Sequence, residues 1–148
     1  FTVIATPGGP TLTHALPGEY LRRLIASNRI FNDDVRLLGF SKEDGQMVVI
    51  TAQPTIVGDG VQPEDMLAFF ESLHFTHVPG FTAGYKGAMS FYRDLDQMAV
   101  FDAHAGNFLQ DRSGLILPID GVVVECDEVL AAQVAALLPD ESSANSEN

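Results

Sequence analysis

An α+β fold follows from three observations on the sequence. Its segments run in the order strand, helix, hairpin, helix, short strands and helix, with no βαβ alternation. An Asp44-Gly45 pair between two apolar runs marks an antiparallel hairpin, because such turns need residues that accept a positive φ. The chain shows no internal repeat and no central linker, and its 148 residues, 46% of them hydrophobic, are enough to build one packed core.

Residues 1–5 alternate bulky and β-branched types and predict a short strand, which Pro7-Gly8-Gly9-Pro10 stops, leaving a loop. Pro17 opens a helix, since proline is tolerated in a first turn where no backbone donor is needed. Leu21, Leu24 and Ile25 predict its apolar face, with Arg22 and Arg23 turned elsewhere, and the helix is expected to end between Asn28 and Phe31. Val35 to Phe40 and Gln46 to Ala52 are the hairpin strands; Met47 to Thr51 is so continuously apolar that burial on both faces is expected. Pro54 ends that strand, and a second helix starts at Gln62-Pro63-Glu64-Asp65, with Met66, Leu67, Phe69, Phe70 and Leu73 as its apolar side.

From His74 to Gly87 the pattern is irregular. Ser90 to Tyr92 and Met98 to Phe101 predict short strands, and Phe108-Leu109 with Leu115 to Ile119 predicts a hairpin closed around Asp111 to Gly114. Asp127 or Glu128 begins the last helix, and residues 139–148 form a polar tail with nothing to bury, expected to be disordered.

Composition excludes several classes of function. Twenty acidic against eight basic residues give a net charge of -12, which opposes binding to a phosphate backbone, so no nucleic-acid partner is expected. No apolar run reaches the length of a membrane span, and Phe1 to Ala5 carries no basic segment or cleavage site, so the cytoplasm is the expected location. A single cysteine, Cys126, leaves no internal disulfide or cysteine-rich zinc site. His74 and His77 have helical metal-ligand spacing, but Pro79-Gly80 follows and no third ligand is evident.

One segment concentrates polar chemistry at the ends of apolar strands: Asp102, His104 and Asn107, followed by Asp120 after Leu117-Pro118-Ile119. The hairpin between them brings Asn107 and Asp120 to one edge. Two carboxylates and an amide oxygen converging in one place suit a hard cation such as Mg²⁺, and whichever carboxylate the cation leaves free can accept a hydroxyl proton.

Asp102 to Asn107 reads Asp-x-x-x-x-Asn, with an aspartate thirteen residues further on. This segment resembles the catalytic loop and metal-binding aspartate of the protein-kinase-like fold. With His104 two residues after the aspartate and Gly106 before the asparagine, it is most similar to aminoglycoside phosphotransferase-type kinases. Glu19 to Leu24 and Leu37 to Phe40 bring the whole chain closer to the small kinase-like domains of phage and mobile-element polyvalent proteins.

The resemblance implies one kinase-like domain over residues 1–138, with 1–55 as a minimal or truncated N-lobe and 56–138 as a small C-lobe. It makes Asp102 the catalytic base and Asn107 and Asp120 the Mg²⁺ ligands. Thr51, Ala52 and Gln53 become the hinge toward the adenine of ATP, and Glu19 the helix glutamate that pairs with a phosphate-binding lysine. His104 is expected to support the loop by packing and by a hydrogen bond to backbone or to Asp120.

The sequence also departs from that pattern. No Gly-rich loop and no lysine precede Glu19, the only lysines being Lys42 and Lys86, and Gly121 follows Asp120 where a phenylalanine is usual. Either a portion before Phe1 carries these parts or the domain is degenerate, in which case Lys86 or Arg93 could substitute in space for the lysine. Three functions stay open on these residues: ATP- and Mg²⁺-dependent transfer to a hydroxyl; an inactive pseudokinase-like module that binds a protein partner within a larger polyvalent protein; and a metal-dependent hydrolase built on Asp102, His104 and Asp120.

Overall fold

Three helices and eleven short strands, every strand pair antiparallel, form residues 1–139, which are those the computed structural model describes. The expected tail lies, past Pro139, outside the described residues. The chain is α+β, as its segment order predicts.

Strands β1 (Thr2–Thr6) and β2 (Gly9–Thr13) form a hairpin in which Pro10 lies opposite Ala5. The loop expected from Pro7 to Pro10 is therefore only the turn of this hairpin. A two-stranded sheet has edges on both sides, so the N–H that Pro10 lacks costs it no ladder bond.

Helix α1 (Pro17–Phe31) begins with the Leu16 N–H donating to Glu19 Oε2 at 2.7 Å, and closes on Asn32 in the left-handed region at φ 52°. Its buried residues are Arg23, Ala26, Ser27 and Phe31, while Ile25 is exposed. The inward stripe is thus turned from the predicted Leu21/Leu24/Ile25 face. The turn is possible because Arg23 finds acceptors inside, and its guanidinium lies over the Tyr20 ring at 5.1 Å.

Strands β3 (Arg36–Glu43) and β4 (Gln46–Ala52) pair around Asp44 and Gly45, both at positive φ as the turn requires. Double burial of β4 is overturned: Met47 and Ile50 are exposed, and Val48 and Val49 only half-buried. The hairpin pairs with no third strand, so its apolar run has nothing to cover both faces.

The core lies further along the chain. After β5 (Asp59–Gly60) and α2 (Pro63–Ser72), the strands β6 (Thr76–His77), β7 (Met89–Arg93), β8 (Met98–Ala103) and β11 (Val122–Glu125) form one sheet in the order β11-β8-β7-β6. A smaller sheet joins β5 to the hairpin of β9 (Phe108–Gln110) and β10 (Ile116–Pro118). Helix α3 (Glu128–Ala135) starts at Asp127, whose side chain accepts the Leu130 N–H at 2.8 Å.

One core cluster packs Ala26 and Phe31 of α1 with Phe70, Phe91 and Phe108; the Phe70 and Phe91 rings stack at 4.1 Å. A second packs Val3 of β1 with Phe101, Leu130 and Val134, and Gln133 Nε2 donates to the Thr6 carbonyl at 2.7 Å. Both clusters draw residues from either side of residue 55. No helix among the described residues is long and apolar enough to cross a membrane.

Candidate functional site

Asp102 lies inside β8, not after it, at a β-bulge. Met89 pairs with Ala103 and Phe91 with Val100, so Phe101 and Asp102 together face Ser90 alone. The extra residue is Asp102, in the left-handed region at φ 56°, a conformation that aspartate tolerates better than most residues. The bulge turns its carboxylate off the strand toward the segment before β7.

There the carboxylate is held from three sides. Oδ1 accepts the Tyr85 N–H at 2.8 Å, and Oδ2 accepts Asn107 Nδ2 at 3.1 Å. Gly84, at φ +81°, packs so closely that a Cβ there would overlap the carboxylate. With about a fifth of the side chain still exposed (21%), Asp102 stays within reach of a ligand.

His104 closes the loop from within. The Gly106 N–H donates to its Nδ1 at 3.0 Å, which leaves the ring proton of neutral His104 on Nε2. Nε2 lies 3.7 Å from Asp102 Oδ1, and the ring lies against Tyr85 at 4.7 Å. The expected hydrogen bond to backbone is present, but the acid near the ring is Asp102 instead of Asp120.

Asn107 spends its amide nitrogen on Asp102, donating both to Oδ2 and, at 3.0 Å, to the backbone carbonyl. Its amide oxygen makes no hydrogen bond among the described residues. The Asn107 carbonyl accepts the Ile119 N–H at 2.7 Å and, at 3.5 Å, that of Asp120. The β9–β10 hairpin thereby sets Asn107 and Asp120 side by side, as its outer ends were expected to meet. Asp120 is 75% exposed, and its Oδ1 accepts from Nη2 of Arg23 at 3.2 Å.

A cavity of about 110 Å³ opens beside Asp120, and Thr51, Gln53, Arg23 and Asp33 share its wall. Gln53 Nε2 donates to the Pro118 carbonyl at 3.0 Å, which ties the segment after β4 to the strand that leads into Asp120. Two of the three predicted hinge residues thus meet a predicted metal ligand, whereas Ala52 is exposed and off the wall. Asp33 is buried with Oδ2 accepting from Ser27 Oγ at 2.7 Å, and burial pushes its carboxyl pKa up.

A larger cleft of about 530 Å³ lies between β1, α1, β11 and α3, and Arg23 lines it too. Glu19 sits in this second cleft, its carboxylate taken by the Leu16 N–H. Cys126 lies there as well, its thiol pushed up to about 12 by burial and then by Asp127, which makes it a poor nucleophile.

Arg93 is not the missing cation. It makes a two-pronged pair with Asp96, both contacts at 2.9 Å, donates to the Leu73 carbonyl, and lies over the Phe75 ring. The residue that sequence reasoning missed is Arg23, and a lone arginine on a helix carries no signal that would have found it. His74 and His77 fall in a turn and in β6, so no helix presents them together.

For Mg²⁺ the donors are of the right kind, a free amide oxygen and an exposed carboxylate. Among the described residues no group of three or more His, Cys, Asp and Glu comes together, so Asp102, His104 and Asp120 do not form the three-residue centre that the hydrolase expectation requires. The chain matches no known family model, no curated protein and no solved structure.

Proposed function

We propose that this chain is a kinase-like nucleotide-binding domain that transfers the γ-phosphoryl group of ATP to a hydroxyl acceptor in the cytoplasm. The observation that carries the reading is the shared wall of Thr51, Gln53 and Asp120, with Asn107 bonded both to the backbone of Asp120 and to the side chain of Asp102.

The roles follow from the donors each residue has left. Thr51 and Gln53 offer hydroxyl and amide groups to a base. The Asn107 amide oxygen and the Asp120 carboxylate hold Mg²⁺, which neutralises phosphate charge when bound. Asp102 orients the acceptor hydroxyl and takes its proton as the oxygen attacks the γ-phosphorus and the bond to the β–γ bridging oxygen breaks. Each of its oxygens already accepts one hydrogen bond, and each keeps a lone pair for that proton.

A second reading, the inactive module that binds a protein partner, is favoured by one observation. The Glu19 carboxylate, expected to pair with a phosphate-binding lysine, is instead engaged by the Leu16 N–H in the helix cap.

Thermal unfolding with ATP, with and without Mg²⁺, decides between the two. Ligand at a hundred times its Kd adds about 2.7 kcal/mol. The kinase-like reading expects that gain to need Mg²⁺ and to vanish in Asp120→Asn. A folded chain indifferent to Mg·ATP would leave the module reading in its place.

A further inference from the structure

Among the described residues Arg23 is the only buried lysine or arginine, with its side chain 8% exposed. Its charge sits between the two clefts, since it lines both. Nη1 donates to the Phe1 carbonyl at 2.7 Å, and Nη2 to Asp120 Oδ1 at 3.2 Å. The other paired arginines are engaged elsewhere: Arg29 with Glu125, Arg36 with Asp34, and Arg93 with Asp96.

A guanidinium does not give up its proton, so a buried one needs a standing anion. Here that anion is a carboxylate three-quarters exposed, open on its solvent side to a divalent cation. A cation on Asp120 withdraws negative charge from Arg23 and leaves it under-compensated in a confined space. An anion that arrives with the cation restores the balance, and the phosphate oxygens of a metal-bound nucleotide are anions of that kind.

We propose that Arg23, on α1, binds the phosphates of the metal-bound nucleotide. This assignment rests on the kinase-like reading. It makes metal and phosphate binding cooperative, since each removes the charge imbalance that the other creates.

The test is thermal unfolding of the full chain with three probes, ATP, inorganic tripolyphosphate and adenosine, each with and without Mg²⁺. Wild type is expected to be stabilised by Mg²⁺ with ATP and by Mg²⁺ with tripolyphosphate. Arg23→Met should weaken both by roughly tenfold to a hundredfold, the worth of one charged hydrogen bond, and leave adenosine unchanged. Arg23→Lys should recover part of the loss. Equal Mg·ATP affinity in wild type and Arg23→Met overturns the role of Arg23 and leaves the nucleotide reading standing, whereas no response of wild type to any probe overturns both. Should Arg23→Met not fold, wild type decides alone: stabilisation by Mg·ATP with none by Mg²⁺ and tripolyphosphate overturns the proposal.

Discussion

Strands β4 and β8 are nearly equal in apolar character, yet they have opposite fates. Val100 and Phe101 of β8 are fully buried, flanked by β7 on one side and β11 on the other. Met47 and Ile50 of β4 stay exposed on a hairpin with no third strand. An apolar run reports what a strand would gain from cover, not whether cover arrives; that is decided by how many strands later in the chain pair beside it. The candidate site spans the difference, with Asp102 on the covered sheet and Thr51 and Gln53 at the end of the uncovered hairpin.

The sharpest way to break this comparison is truncation on both sides of it. Phe101→Ala should cost about 3–5 kcal/mol, because Phe101 is fully buried and packs edge-on against Phe81 at 5.5 Å. Met47→Ala should stay within about 0.5 kcal/mol, the usual range for an exposed site. Urea unfolding of the two variants measures both; a Met47→Ala cost near that of Phe101→Ala would mean the hairpin is covered in solution after all.

Next in size is Gly84→Ala, expected to cost about 2–3 kcal/mol from a left-handed backbone and a Cβ that overlaps Asp102. The cost should fall by half or more in the double variant with Asp102→Ala, since only the backbone strain survives removal of the carboxylate. Full additivity in a double-mutant cycle would show that Gly84 does not shape the Asp102 pocket.

Local chemistry was legible in the sequence where a residue type permits few conformations. Asp44-Gly45 identified its hairpin because both residues accept positive φ, and Pro17 and Gln62-Pro63 identified two helix starts. The Asp102–Asn107 bond and the Asn107–Asp120 neighbourhood follow from a short loop and a hairpin, both local in sequence.

What was not legible depended on distant partners. The inward turn of Arg23 needs Phe1 and Asp120, which are 22 and 97 residues away. The bulge at Asp102 needs the register of β7. Val122 to Glu125 is a strand beyond those expected, and its valine run is a β signal that becomes decisive only with β8 beside it. Proline breaks a central strand but not an edge, so Pro10 sits within β2 opposite Ala5.

The last expected effect is a slope with pH and not a step, and it lies where the hairpin meets α1. Asp33 is buried beside Thr51 and Gln53, Ser27 donates to one of its oxygens, and Oδ1 has no partner among the described residues. Burial dominates, so its folded-state pKa is raised above the unfolded value. Between those two pKa values the folded state binds more protons than the unfolded one, so this group's contribution to stability falls as the pH rises through the raised pKa. Asp33→Asn keeps the shape and an acceptor for Ser27 but has no charge to desolvate. The stability of the variant minus that of wild type should therefore grow from acid toward neutral pH and then level off. Urea unfolding across that range reads the difference directly. A difference that does not change with pH would show that the Asp33 carboxylate is as well solvated in the folded chain as in the unfolded one, and that the cavity beside Asp120 is wetter than its walls imply.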